Sequence, residues 1–158
     1  MRTTLFFIVL ALSGGLLAQF PTPSDFLPHA LGETFTPHHL LVDYYETVAA
    51  ASPRVQLQEY GRTNEDRPLL LATVSTPDNL ARIDAIRENN LRLAGLLPGA
   101  PDPALENIAI VWLSFSVHGN EAAGSEASMG VLYDLANTND PRSGEWLKNT
   151  VVLLDPSL

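Results

Sequence analysis

The sequence predicts an α/β fold in which one mixed sheet is covered by helices on both faces. Two short apolar segments, 55–60 and 68–74, are separated by a polar turn, and this arrangement is typical of a β-hairpin. Helical and strand-like segments then alternate twice, which adds further strands to the same sheet. With 158 residues, 46% of them hydrophobic, the chain is long and apolar enough to form a domain core.

The first helix and the hairpin are predicted from local signals. Thr36 is a typical N-cap residue and Pro37 suits the first helical position, so a helix is predicted from there to about Ala51. Its buried face is predicted to hold Leu40, Leu41, Tyr44, Tyr45 and Val48. The segment from Val55 to Tyr60 alternates apolar and polar residues, as a strand does. The segment from Pro68 to Val74 is apolar almost throughout, which predicts a central, buried strand.

A second helix is predicted from Thr76-Pro77, which repeats the same start signal. Its buried stripe is predicted to consist of Leu80, Ile83, Ile86, Leu91 and Leu93. The run from Ile108 to Ser114 is rich in β-branched and aromatic residues and is predicted to be a buried strand. Core packing is the expectation for Trp112 in this strand and for Trp146 further on.

The last elements are two helices and a strand. A helix is predicted to follow residue 121 and to end near Ala136, and its small residues Gly124, Ser125 and Ala127 would let it approach the sheet closely. A short helix over Pro141 to Lys148 and a buried strand over Val151 to Leu154 complete the pattern.

Charge and cysteine content exclude some partners. The net charge is −9, which disfavours nucleic acids and anionic membrane surfaces, because both attract basic patches. No cysteine is present, so the chain can form neither a disulfide nor an acylated lipoprotein anchor. The sequence does not indicate an oligomeric state.

The first 18 residues resemble a secretory signal peptide. Arg2 supplies the positive charge, residues 5–17 form a short apolar stretch, and Ala18 suits the position before a cleavage site. This stretch is too short to span a bilayer comfortably, so no stable membrane anchor is expected after cleavage. The predicted organisation is a signal peptide at 1–18, an extended lead-in at 19–35 and an incomplete catalytic domain at 36–158. The predicted location is secreted or periplasmic.

The turn after the strand at 108–114 carries the candidate site. His118 and Glu121 stand three residues apart, between a strand and a helix, and Gly119 would allow a sharp turn between them. Imidazole nitrogen and carboxylate oxygen are both zinc ligands, and open α/β sheets place their sites at the carboxyl ends of strands. In the alternative interpretation, Glu121 has a capping role in the first helical turn, where the helix dipole favours its negative charge, and His118 is an ordinary loop residue.

Two motifs in this order resemble the zinc carboxypeptidase family, and in particular its large secreted bacterial members. The first is Tyr-Gly-Arg-Thr-Asn-Glu-Asp-Arg-Pro-Leu at 60–69, similar to the family's hairpin, although Asp66 stands where that hairpin usually has Gly. The second is Val-His-Gly-Asn-Glu-Ala at 117–122, similar to the family's first metal motif. Together they place the resemblance over residues 33–158.

The resemblance implies a zinc carboxypeptidase-like fold, a peptide or protein substrate, and Zn²⁺ held by His118 and Glu121. The family's third zinc ligand, its substrate-binding arginines and its general-base Glu would lie beyond Leu158. The chain is therefore expected to be the N-terminal part of such an enzyme, inactive alone and a poor zinc binder. Its last strand is expected to leave a free edge, and the fold is expected to be marginal or prone to aggregation.

Two other functions remain open from the sequence. One is an N-acyl amino acid deacylase of the aspartoacylase type, which shares a His-Gly-Asn-Glu turn but is usually cytoplasmic and lacks the hairpin motif. The other is a non-catalytic binding module on the same fold. Among single residues, Glu126 is poorly placed as a third ligand, because it lies about 140° around the helix from Glu121. His29, the adjacent pair His38 and His39, and Ser125 are not predicted to take part in a site.

Overall fold

The computed structural model describes residues 20–105 and 108–157. The predicted signal peptide at 1–18 lies outside these residues. Within them, no helix combines the length and apolar character needed to cross a membrane.

The described residues contain one four-stranded mixed sheet. Its strands are β1 (Val55–Arg62), β2 (Pro68–Val74), β3 (Ala109–Ser114) and β4 (Thr150–Asp155). In space they follow the order β1-β2-β4-β3. β1 and β4 both pair antiparallel with β2, whereas β3 runs parallel to β4. The carboxyl ends of β3 and β4 therefore meet at one edge of the sheet, with Ser114 opposite Asp155.

Helices cover both faces of this sheet, as predicted. The helices are α1 (Pro23–Phe26), α2 (His38–Ala51), α3 (Pro77–Leu80), α4 (Ile83–Leu93), α5 (Ala123–Ala136) and α6 (Pro141–Lys148). The larger core lies on the α2 and α5 side, where Tyr45, Met129 and Leu132 are fully buried with Leu154 of β4. A smaller core on the opposite face packs Ile86 of α4 against Val151. Successive residues of a strand point to opposite faces, so the apolar run of β4 serves both cores.

The lead-in is less extended than predicted. Thr22 caps a single helical turn, α1, because its hydroxyl accepts a hydrogen bond from the Asp25 amide. Phe20 and Leu27, which flank this turn, are buried in the larger core. Residues 20–27 are therefore part of the packed domain and not only a strap on its surface.

The cap predicted for α2 is wrong, although the end of this helix at Ala51 is confirmed. The N-cap is Pro37, and no side chain caps the first turn. The Thr36 hydroxyl instead donates a hydrogen bond of 2.7 Å to Glu126 of α5. A long-range contact has replaced the local one.

The second predicted helix is divided into α3 and α4. Its start is correct, since Thr76 caps α3. The chain then leaves helical geometry at Arg82, and the buried amide of Asn79 bonds the carbonyl oxygens of Leu147 and Lys148. This change of direction alters the buried stripe, in which Leu93 is exposed and Asn89 is buried.

The positions of β3 and β4 differ from those predicted. β4 is an interior strand, so it does not supply the free edge expected from its place in the sequence. β3, predicted to be buried, has no second neighbour among the described strands, and Trp112 is 63% exposed. An apolar run indicates affinity for a core but does not determine how many strands flank it. Trp146, also assigned to the core, is exposed on α6.

The hairpin and its turn are as predicted. Asp66 adopts φ 60°, the left-handed conformation that asparagine, aspartate and glycine tolerate best. The turn carries two exposed ion pairs, from Arg62 to Asp66 and from Arg67 to Glu65. Such pairs contribute little to stability, so the turn conformation depends mainly on its backbone.

Candidate metal site

The loop between β3 and α5 carries His118 and Glu121. The Phe115 amide donates to the Asp155 carbonyl, which holds the start of the loop to the end of β4. Ser116 then adopts φ 52°, and the chain turns at Gly119 and Asn120, as predicted for Gly119. The Glu121 amide donates to the His118 carbonyl at 2.9 Å and closes a turn around the two candidate ligands.

The structure brings the two side chains together. The His118 Nδ1 and Glu121 Oε2 atoms lie 3.3 Å apart. Both side chains are open to solvent, 71% and 69% exposed. They lie beyond the carboxyl end of β3, the edge at which open α/β sheets place their sites.

The two donor atoms fit one zinc ion. Zinc bonds of about 2.0–2.2 Å in a tetrahedral arrangement place two ligand atoms about 3.4 Å apart, close to the spacing of these two atoms. Among the described residues, no group of three or more His, Cys, Asp or Glu could hold a metal ion. His118 and Glu121, which contact each other through a hydrogen bond, are therefore one nitrogen and one oxygen donor that could hold a metal together.

Three other residues weighed as candidates in the sequence lie on helices, outside the loop that carries the two candidate ligands: Glu126, His38 and His39. Glu126 is buried, and its carboxylate accepts hydrogen bonds from the Gly32 amide and the Thr36 hydroxyl, both before α2. His39 is exposed on α2, and His38 is half-buried, with its pKa lowered by burial and by nearby Arg67.

A buried acid at the same sheet edge was missed by sequence reasoning. Asp155 is 1% exposed, and its Oδ2 accepts a hydrogen bond of 2.9 Å from the Tyr60 hydroxyl. Its Oδ1 has no hydrogen-bond partner among the described residues. Burial and the bond to Asp155 raise the pKa of Tyr60 to about 12. The available signal was a carboxylate that directly follows the apolar run 151–154.

A groove of about 390 Å³ opens beside the loop. The β1–β2 turn forms one wall and the β3–α5 loop forms the other. Its lining includes Phe35, His38, Arg67, Ser116, Gly119 and Ser125. His118 and Glu121 are not among its lining residues, but Gly119 and Ala122, which are next to them in the chain, are.

Comparisons with known proteins identify the family. A profile of the zinc carboxypeptidase family matches residues 41–158, which include the sheet, α5 and the candidate loop. The chain belongs to the zinc carboxypeptidase family. No curated protein sequence matches the chain.

A solved structure of a zinc carboxypeptidase-like fold supports the architecture. The chain is similar to thrombin activatable fibrinolysis inhibitor, with 12% sequence identity and a TM-score of 0.54. The match covers 79% of this chain and 25% of that chain, so the present sequence spans about a quarter of that protein's length. At this identity the likeness shows the fold, and the predicted mixed α/β class is confirmed.

Proposed function

We propose that this chain forms the N-terminal part of a zinc-dependent metallocarboxypeptidase, which hydrolyses peptide bonds near a C-terminus. The observation that carries the proposal is the 3.3 Å approach of His118 Nδ1 to Glu121 Oε2 at the carboxyl edge of the sheet. Membership of the zinc carboxypeptidase family supports the proposal, because nitrogen and oxygen donors that lie close together are what a zinc ion binds.

The roles of the two residues follow from their chemistry. His118 would hold zinc through a neutral ring nitrogen, and Glu121 would hold it through its carboxylate. When bound, zinc polarises the scissile carbonyl and lowers the pKa of a water molecule. The adjacent groove would receive the peptide, with the exposed ring of Phe35 as an apolar contact.

Two donors are fewer than the three protein ligands typical of catalytic zinc. We infer that a third ligand and a general base come from outside the described residues 20–105 and 108–157. These residues alone should then bind zinc loosely and show no turnover of a peptide with a free C-terminus. Tight binding with turnover would contradict this inference.

The proposed ligands can be tested by titrating the chain with zinc and monitoring binding by NMR. His118→Ala and Glu121→Ala should each weaken binding about tenfold or more, because each removes one of two ligands. His39→Ala is the matched control, since it removes an exposed histidine on α2. The assignment of His118 and Glu121 as zinc ligands would be wrong if both loop variants bind zinc as well as wild type. It would also be wrong if His39→Ala weakens zinc binding as much as they do. A non-catalytic module on this fold would then be the better interpretation.

We also propose that the protein is exported and cleaved after Ala18. The support is the sequence of residues 1–18, with one basic residue followed by a short apolar stretch. Expression in a bacterial host should give protein outside the cytoplasm whose intact mass corresponds to a chain that starts at Gln19. Recovery of uncleaved protein from the cytoplasm would contradict this proposal.

A further inference from the structure

The loop that carries His118 and Glu121 is closed by a contact between its two ends. Ser116, at the start, lies against Gly124 and Ser125 in the first turn of α5. The Ser116 and Ser125 hydroxyl oxygens are 2.8 Å apart, a hydrogen bond in which either group could donate. Both candidate ligands lie between these two ends.

Gly124 makes this contact possible because it has no side chain. A Cβ atom at this position would lie 2.9 Å from the Ser116 amide nitrogen and 2.9 Å from its hydroxyl oxygen. Real Cβ atoms essentially never approach other atoms within 3.0 Å, so any larger residue must displace Ser116. One of the two atoms belongs to the backbone, so a side-chain rotation cannot relieve the overlap.

Ser116 has little freedom to move away. Its φ of 52° lies in the left-handed region, which is narrow for residues other than glycine. Its neighbour Phe115 is held to the Asp155 carbonyl of β4. A displacement at Ser116 must therefore pass into residues 117–121, the part of the loop that carries the ligands.

The ligands depend on this backbone for their spacing. His118 and Glu121 are both about 70% exposed, and their side chains share one hydrogen bond with each other. Packing therefore contributes little to holding either side chain. The conformation of the loop must hold the two donor atoms at the distance a metal requires.

We propose that Gly124 and Ser116 are positioning residues that set the spacing between His118 and Glu121. The functional part of this inference rests on the proposed zinc site. The structural part, that the Ser116–Gly124 contact fixes the loop, can be tested without metal.

The test compares Gly124→Ala with Gly130→Ala in the full chain. Both substitutions add one methyl group within α5, but the Cβ at 130 meets only the Leu31 side chain, at an ordinary distance of 3.7 Å. Gly124→Ala should weaken Zn²⁺ binding roughly tenfold, the lower end of the effect of lost ligand support. Gly130→Ala should leave it unchanged.

A rescue variant separates positioning from general damage. Ser116→Gly removes the overlapping hydroxyl and makes the left-handed backbone easy to adjust. Because the double variant Ser116→Gly/Gly124→Ala also lacks the hydroxyl bond to Ser125, it should bind zinc more tightly than Gly124→Ala but no more tightly than Ser116→Gly alone. If Gly124→Ala does not fold, Ser125→Ala provides a second test. It removes the hydroxyl bond without adding volume and should weaken zinc binding several-fold.

The metal-free readout is the set of amide chemical shifts of residues 116–121. Gly124→Ala should change these shifts, Gly130→Ala should not, and the double variant should bring them back toward wild type. If wild type binds no zinc but the shifts behave in this way, the proposed function fails and the positioning contact stands. The inference would be overturned if Gly124→Ala changes neither the amide shifts of residues 116–121 nor the zinc affinity. If Gly124→Ala does not fold, the same result for Ser125→Ala would overturn it. A failed rescue would do the same.

Discussion

Replacement of Glu126 by alanine is expected to lower the free energy of unfolding by about 3 kcal/mol, because a hydrogen bond to a charged group contributes about 1.5–3 kcal/mol. Glu126 is 7% exposed and accepts two such bonds, at 2.6 Å from the Gly32 amide and 2.7 Å from the Thr36 hydroxyl. The substitution would leave both donors without this partner. It would also remove the polar contacts between the lead-in and α5, and leave the apolar contacts of Phe20 with α5.

The measurement is urea unfolding followed by circular dichroism. Glu46→Ala, on the exposed face of α2, is the control and should change stability by less than about 0.5 kcal/mol. Glu126→Gln should lose less than Glu126→Ala, because its amide can accept from Gly32 while Thr36 reverses its hydroxyl. A double-mutant cycle with Thr36→Val should give a clear coupling energy. Equal stabilities for the Glu126→Ala and Glu46→Ala variants would show that the lead-in is held by Phe20 and Leu27 alone.

Glu126 also shows where sequence reasoning reached its limit. Its place on the helix was enough to exclude it as a third ligand of the site. Its actual partners, Gly32 and Thr36, lie about 90 residues away in the chain. Thr36 has the local signal of a helix cap, but a buried carboxylate offers its hydroxyl a stronger acceptor. Local propensity cannot anticipate such a contact.

The elements that could be predicted are those with strong local signals. The hairpin, the ends of α2 and α5, and the whole of α6 follow from apolar periodicity, proline and turn chemistry. The order of strands in the sheet carries no comparable signal. Nothing local distinguishes β4, which lies between two strands, from β3, which has one neighbour among the described residues.

The position of the candidate site could be predicted from the sequence, but the backbone conformation of its loop could not. The three-residue spacing between a strand and a helix was enough to bring His118 and Glu121 together. A turn was expected at Gly119, because glycine is the usual residue for a sharp reversal, and Gly119 lies in the turn that the Glu121 amide closes on the His118 carbonyl. In the structure Ser116 takes the left-handed conformation, and Gly124 provides space for it. No local signal in the sequence predicts this contact between Ser116 and the first turn of α5.

The exposed edge of β3 should cause the chain to self-associate. Its outer side presents backbone donors and acceptors with no partner strand among the described residues, and the strand contains neither a charged residue nor a proline. These are the features with which natural edge strands block pairing, so their absence favours addition of another strand. Trp112 and Val111, which are 63% and 40% exposed, add apolar surface on the two faces.

Trp112→Lys should weaken this association on the order of a hundredfold. In a symmetric antiparallel pair of β3 strands Trp112 can lie opposite its own copy, so each substitution acts twice, and about 1.4 kcal/mol per copy gives this factor. Two lysines facing each other also repel.

Trp146→Lys is the matched control, because Trp146 is 58% exposed but lies on α6, away from any strand edge. Sedimentation velocity over a concentration series provides the association constants. A wild-type chain that stays monomeric, or an equal effect of both lysine variants, would mean that β3 does not drive association. A large effect of Trp112→Lys alone would assign the aggregation expected of this chain to β3 and not to the apolar β4.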